Sequence, residues 1–576
     1  MKRYILFAIS GLLMASCMDT EVLPVDKVIE EDFWKNSTEV KSMVNGAYKS
    51  MTSEAVIERM IVWGELRGDN VVPSEGLGTT KSGINEIHSL SIDDKNAYAV
   101  WASFYDVINR CNLVLDHAEA VMSIDPSYTD GDYRIDRSQM LALRSLCYFY
   151  LVRAFRDVPY IATANQYSSQ EFEIAQSAPN TVLENCIRDL EEAATVAYKA
   201  SGFNGWRSCG LITRDAIYSI LADVYLWRAS LNKSAADYQK CVDYCNLVIN
   251  TKQEYELSRR GGALISNMLN DYPLYTYNNV YNQVFRQGNS AESIFELQLD
   301  GNVAVNTAVR NLYYQFKEGV APGFLSGAKF IGTNNDGKKA TDISGMFVSK
   351  NDIRYAETVH DQENENNDSY SIYKMAHTRA AEYAKFDQNW IVYRVSDVML
   401  MKAEALVQLA PEGAALASDD NLKEAFKMVE TVYNRSLKDQ GDVLNAADAE
   451  YNDRNKMETL VLCERQRELC FEGKRWFDLM RYAYRHMNGV DPNTILAKTG
   501  VGENEARTNE QGFPAIPTEM IDLLKRKYTD NSGVLTYQLT TEPKLYFPIG
   551  YDEMKVNSNL FQTPGYKSSN EYEKNY

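Results

Sequence analysis

Glu464-Arg465-Gln466-Arg467-Glu468-Leu469-Cys470-Phe471-Glu472-Gly473-Lys474-Arg475-Trp476-Phe477-Asp478-Leu479 is the stretch on which the fold turns. Glu464, Glu468 and Glu472 recur at i, i+4 and i+8, which sets them on one stripe of a helix. Arg465, Arg467 and Arg475 each stand three residues from an acid, respectively Glu468, Glu464 and Glu472. Such i,i+3 pairs are ordinary helix electrostatics. Leu469, Phe471, Trp476 and Phe477 interleave large apolar side chains. A segment with both features is expected to pack inside a larger helical body, its charges tying it to neighbours. A second reading gives the stripe to chemistry. A glycosidase needs two carboxyl groups about 5–10 Å apart across a sugar, and glutamates one turn apart meet that. The regular pairing with arginine favours the structural reading, which extends to Asp397 and Glu404.

Working outward, helical patterns recur along the chain. They cover residues 36–52, with Asn36 or Ser37 as N-cap, and 97–122, with Trp101, Tyr105, Ile108 and Leu115 at helical spacing. Residues 137–156 and 213–230 are apolar on nearly every face, as interior helices are. Residues 181–199, 235–250, 391–409, 421–437 and 455–485 complete the set. Ala236 to Ile249 has the spacing of a tetratricopeptide second helix, and Leu141–Phe155 and Ala216–Leu231 have similar texture. Stacked helix pairs bury a shared core and form a curved scaffold. Two regions break the pattern: residues 251–390, with one strand at Ser293–Leu299 and a turn at Asn334–Gly337, and residues 486–576. Long irregular stretches of this kind tend to be functional loops.

At the N-terminus, Lys2 and Arg3 precede an apolar run from Tyr4 to Leu13 and the small-residue site Met14-Ala15-Ser16-Cys17. This is a secretory signal, too short for a membrane span. A cysteine directly after the small pair is the bacterial lipoprotein pattern, in which Cys17 becomes the acylated first residue. Residues 1–16 are then signal and 17–31 a polar tether. No later stretch approaches 18 uninterrupted apolar residues. The net charge of −19 argues against nucleic acid and against adhesion to anionic lipid, and suits a neutral or cationic ligand or simple solubility. Eight cysteines remain beyond Cys17; those at 111, 147, 186, 241, 245, 463 and 470 fall in helical patterns, as structural free thiols do. No metal-ligand spacing appears among the five histidines or the cysteines, and Asp130, Asp132 and Asp136 lack an EF-hand's spacing. No cofactor and no metal are expected.

Several motifs together resemble the SusD/RagB family of outer-membrane nutrient-binding lipoproteins. They run in order: Asp32-Phe33-Trp34, Asn45-Gly46-Ala47-Tyr48, Trp63-Gly64-Glu65-Leu66-Arg67-Gly68-Asp69-Asn70, Tyr105 to Asn112, Leu143-Arg144-Ser145 and Phe155-Arg156-Asp157-Val158-Pro159. Arg156 stands where glycine is usual. Tyr393 to Ala405, the Glu464–Leu479 block, Tyr546-Phe547-Pro548-Ile549 and Asn557 to Tyr566 continue the match. The resemblance implies a mainly α fold: one SusD-like domain over 32–576, a tetratricopeptide-like scaffold over about 32–250 and 391–485, and a loop-rich ligand side over about 251–390. It also implies a lipid-anchored protein of the cell outer membrane, facing the medium. Such a protein captures oligosaccharides, glycans or sometimes peptides and passes them to a TonB-dependent β-barrel transporter (SusC-like), without catalysis.

Sugars offer a flat C–H face to aromatic rings and hydroxyls to polar side chains. Tyr272, Tyr275, Tyr277 and Tyr281 cluster within ten residues, and Tyr275 and Tyr277 share a face if the segment is extended. Trp206 sits in a glycine-rich connection, Ser201-Gly202-Phe203-Asn204-Gly205-Trp206. Tyr313 and Tyr314 form a lesser candidate, and Gly76–Lys81 a candidate rim. Asp69 and Asn70 match a motif near the family's ligand face, with turn-capping as the competing role. The expected ligand contacts are therefore Tyr275, Tyr277, Tyr281, Trp206, Asp69 and Asn70, and alanine at Tyr275 and Tyr277 is expected to weaken binding without unfolding the protein.

Overall fold

The computed structural model describes residues 33–74, 83–165, 173–259, 267–313, 323–332, 340–341, 346–347, 351–360, 369–375, 386–500, 507, 510–528 and 533–567. Cys17 with its signal and tether, Gly76–Lys81, Tyr314 and the Asn334–Gly337 turn lie outside these residues.

Helix α1 (Ser37–Met51) starts where the sequence places it. Asn36 Oδ1 accepts the N–H of Thr38 (3.0 Å) and Glu39 (3.2 Å), and Glu39 Oε2 accepts the N–H of Asn36 (3.2 Å), a reciprocal capping box. Then follow α2 (Ala102–Val121), α3 (Asp130–Phe155), α4 (Pro179–Ala194), α5 (Arg214–Asn232) and α6 (Ala235–Arg259). Helices α7 (Val395–Leu409), α8 (Asp420–Asn434), α9 (Arg454–Leu469) and α10 (Arg475–His486) follow the loop-rich region. Each of α1 to α7 packs on the next, and α7 also packs on α9. This succession is what stacked helix pairs produce. Lys233, in the left-handed region at φ 52°, closes the short turn between α5 and α6. In α3, every residue from Ser138 to Phe155 is buried, as its all-round apolar pattern implies.

Several boundaries differ from the sequence reading: α2 starts at Ala102 rather than 97, α4 ends at Ala194 rather than 199, and α6 runs on to Arg259, past the expected end at 250. Helix α3 begins at Asp130 because Thr129 and Asp132 form a second capping box. The segment from 391 opens as a strand, Trp390–Arg394, before turning helical. Its Trp-Ile-Val-Tyr run suits a pleated surface, and its partner is Ser293–Leu297, with Leu297 opposite Trp390 and Glu296 opposite Ile391. The deciding stretch is not one helix. It breaks after Leu469, with Phe471 at φ 67° and Gly473 at φ 71°, and resumes at Arg475. Three strands of the loop-rich region join Val71–Pro73 in a four-stranded antiparallel sheet, in the order Val71–Pro73, Leu325–Ala328, Ser369–Ile372, Val359–His360.

The break has a cause. Two sequence blocks about 400 residues apart dock backbone to backbone. A Cβ on Gly64 would sit 1.9 Å from the Gly473 carbonyl oxygen, so the π-helical turn Val62–Leu66 and the turn after α9 touch directly. The Phe471 N–H donates to Glu65 Oε1 (2.8 Å), and Gln466 Nε2 donates to Asn70 Oδ1 (2.8 Å).

The charges of the block are buried with it. Only Arg467 and Glu464 form the expected i,i+3 pair (2.9 Å). Arg465 reaches Asp397 (3.1 Å) and Asp478 (2.9 Å), and Arg475 reaches Asp69 (2.7 Å). Glu468 accepts from Arg354 (3.0 Å), Arg394 and Arg435, while Glu472 accepts from Arg394 and Lys374 (2.7 Å each). The charges therefore bind separate parts of the chain to α9. The cysteines from Cys111 to Cys470 are buried and unbridged, including Cys241 and Cys245, whose sulfurs lie 4.0 Å apart on consecutive turns.

Candidate functional site

An open cleft of about 680 Å³ lies between the C-terminal half of α1, the connection before α5 and the outer end of the Ser293–Leu297/Trp390–Arg394 strand pair. Its volume falls in the usual range for a small-ligand site. Trp206 lines it and is 47% exposed, unusual for so large an apolar ring. Gly205, left-handed at φ 68°, turns the chain into Trp206. Gly210 supplies clearance beneath: a Cβ there would come within 2.8 Å of Trp206 Cε3 and 2.6 Å of Gln298 Cγ. From α1, Tyr48 is fixed rather than free, donating to Gln139 Oε1 (2.8 Å) and accepting from the Ile212 N–H (2.9 Å).

The cleft is floored by amides held from within. Glu296 is fully buried and accepts from Asn389 Nδ2 (2.7 Å), the Asn289 N–H (2.9 Å) and Ser293 Oγ. Burial raises its carboxyl above the ordinary range, and these donors work against that rise. Gln298 Nε2 donates to Asn289 Oδ1 (2.9 Å) and the Glu296 carbonyl (3.2 Å). Asn389 Oδ1 accepts the Leu299 N–H (2.9 Å). Asp300 Oδ1 takes three backbone N–H bonds, from Asn302, Val303 and Ala304 (2.8–2.9 Å), which lower its pKa and pin the loop. The result is a preset polar floor beside an exposed indole, an arrangement able to hold a flat, hydroxyl-rich ligand.

Of the expected contacts, Trp206 alone lines this cleft. Tyr275 is 7% exposed, its hydroxyl accepts the Ala291 N–H (3.3 Å), and its own N–H donates to Glu292 (2.7 Å). Alanine at Tyr275 therefore opens the core, which corrects the expectation of a harmless substitution there. Tyr281 is buried and stacked on Tyr373, with ring centroids 5.0 Å apart. Tyr277 is part-exposed but outside the cleft lining. Tyr313 is buried. Asp69 and Asn70 are fully buried. Burial opposes the Asp69 charge, but Arg475 and Arg526 hold its carboxyl well below the usual range. Asn70 Nδ2 donates to Glu65 (2.6 Å). Their polar atoms are engaged inside the protein, so these two residues lock the fold and offer no face to a sugar. Glu464, Glu468 and Glu472 are likewise at most 3% exposed. Gln298, Asn389, Asn289 and Asp300 were missed. Strand pairing brings Asn389 to the other three, which lie close in sequence, and residues 391–394 read as helix in the sequence.

A SusD family profile matches residues 291–566, and a profile described as starch-binding associating with outer membrane matches residues 21–226. A SusD-like protein of Formosa agariphila is 25% identical over 499 residues, spanning 83% of this chain and 90% of that one. A second from the same organism is 24% identical over 524 residues, spanning 85% and 94%. Among solved structures, a SusD superfamily protein of Bacteroides vulgatus has a TM-score of 0.64 at 18% identity, covering 93% of this chain and all of that one. One of Parabacteroides distasonis has a TM-score of 0.63 at 21% identity, covering 94% and 100%. Both halves of the sequence and the fold agree: the chain belongs to the SusD/RagB family.

Proposed function

We propose that this is a non-catalytic glycan-capture lipoprotein of the outer membrane. Cys17 carries the lipid, the single SusD-like domain faces the medium, and the Trp206 cleft binds oligosaccharide for delivery to a TonB-dependent, SusC-like barrel. The observation that carries this reading is Trp206, exposed above a floor of fixed amides in a cleft of about 680 Å³. Aromatic stacking against a ligand ring excludes water from one face while the amides and Asp300 meet hydroxyls. Catalysis finds little support. The acidic stripe, which held the carboxylates a glycosidase would need, is buried among arginines.

Titration calorimetry of a soluble form beginning at Met18 against oligosaccharides and peptides tests this. Saturable sugar binding with intact ligand recovered afterwards is expected. Peptide binding alone replaces the glycan reading with peptide capture, and release of new reducing ends contradicts the non-catalytic role. For the anchor, Cys17→Ser is expected to move the protein from the membrane fraction to the soluble fraction and to abolish labelling by a fatty-acid analogue. One acyl chain binds a bilayer only marginally and two or more bind firmly. Unchanged labelling would contradict acylation at Cys17.

A further inference from the structure

The end of the cleft made by the strand pair carries two aspartates, Asp300 and Asp387. Leu297 lies opposite Trp390 in the antiparallel register. Just beyond that pair Gln298 and Asn389 meet at 3.4 Å, and Asp300 and Asp387 follow them in the cleft lining. Both aspartates are exposed and line the cleft, and among the described residues no lysine or arginine pairs with either. In Asp300, Oδ1 carries all three backbone bonds, so Oδ2 remains for an outside partner.

The floor points the same way. Both Gln298 Nε2 hydrogens are engaged by Asn289 Oδ1 and the Glu296 carbonyl, and Asn389 Nδ2 is engaged by Glu296 and Gln298. What these two amides have left is acceptor capacity. Opposing this are two cations on the helical side. Lys49 is exposed on α1, and the Arg207 guanidinium lies 5.4 Å from the Trp206 ring centroid.

We propose that the cleft takes uncharged and amine-bearing sugar residues and turns away acidic ones, with Asp300 and Asp387 as the residues that set this selectivity. The proposal rests on the cleft being the glycan site. A hydroxyl or ammonium group brings donors to the acceptors at the strand end of the cleft. A uronate or sulfate brings further negative charge to two unpaired carboxylates, within a chain of net charge −19.

The test is a glycan array carrying neutral, amine-bearing and acidic glycans, read with the wild type, Trp206→Ala and the double variant Asp300→Asn/Asp387→Asn. Asparagine keeps Oδ1 for the loop bonds, and an unchanged melting temperature establishes that the double variant is folded. The wild type is expected to bind neutral or amine-bearing glycans only, through Trp206. The double variant is expected to gain acidic glycans at least tenfold and to lose at least tenfold on any amine-bearing ligand. Acidic glycans bound by the wild type and lost in Trp206→Ala would overturn the selectivity and leave glycan capture standing. A folded double variant with the wild-type profile would remove the two aspartates from that role. Silence of the wild type across the whole array would overturn both this inference and the reading it rests on.

Discussion

Glu468→Gln is expected to lower the unfolding free energy by about 3–5 kcal/mol, the cost of taking one partner from a buried ion pair. Whole domains are held by only about 5–15 kcal/mol, so the urea midpoint should fall steeply. The carboxylate is 3% exposed and answers three arginines from three parts of the chain: Arg354, Arg394 and Arg435. A neutral amide keeps the volume but leaves those guanidinium groups with too little negative charge. Asp106→Asn is the contrast. Its pair with Arg110 is about half exposed, and pairs of that kind contribute little, so its midpoint should not move measurably. Acid should imitate the Glu468 substitution. Burial raises the pKa of Glu468, but Arg435, Arg394 and Arg354 prevail and hold it well below the ordinary value. Its contribution is therefore complete above the unfolded glutamate pKa of about 4.3 and drains away as pH falls below it towards the folded value. The gap between wild-type and Glu468→Gln midpoints should be widest at neutral pH and narrow below about pH 4. A gap unchanged by acid would remove Glu468 from the network.

Gly64→Ala is expected to destabilise by more than about 4 kcal/mol, at the severe end for single substitutions. In an exposed helix the same change gains about 1 kcal/mol from propensity. Here the added carbon would overlap the Gly473 carbonyl oxygen at 1.9 Å and its carbon at 2.5 Å. Neither side has a flexible side chain to move. Gly473 is itself confined, since its own Cβ would lie 2.7 Å from the Met60 oxygen. Circular dichroism against temperature checks this. A Gly64→Ala protein that melts with the wild type would mean the two blocks do not meet backbone to backbone.

The sequence showed the scaffold well because its evidence is local. Asn36 with Glu39 marks a helix start, and the apolar run in α3 marks an interior helix, whatever lies elsewhere in the chain. It showed partners poorly. Arg475 looked like the i,i+3 mate of Glu472, yet it holds Asp69 across the chain. Asp69 and Asn70 looked available to a ligand for the same reason: nothing near them in sequence reveals that Arg475, Arg526 and Gln466 engage them. Tyrosines clustered in sequence gave no measure of exposure, and Tyr275 and Tyr281 face inward. Trp206 was legible because glycines flank it and leave it little local chain to pack against. The amide floor was not, since Gln298 and Asn389 become neighbours only through a strand pairing 93 residues apart, the spacing of Leu297 and Trp390.

The central claim is capture of glycan at the Trp206 cleft. The most direct measurement compares Trp206→Ala with the wild type by titration calorimetry, using whichever oligosaccharide the wild type binds. Loss of one stacking ring should weaken binding by about 1–2 kcal/mol, roughly 5- to 30-fold, with the melting temperature unchanged because the ring is half exposed. Wild-type affinity in folded Trp206→Ala would place the glycan elsewhere and contradict the account.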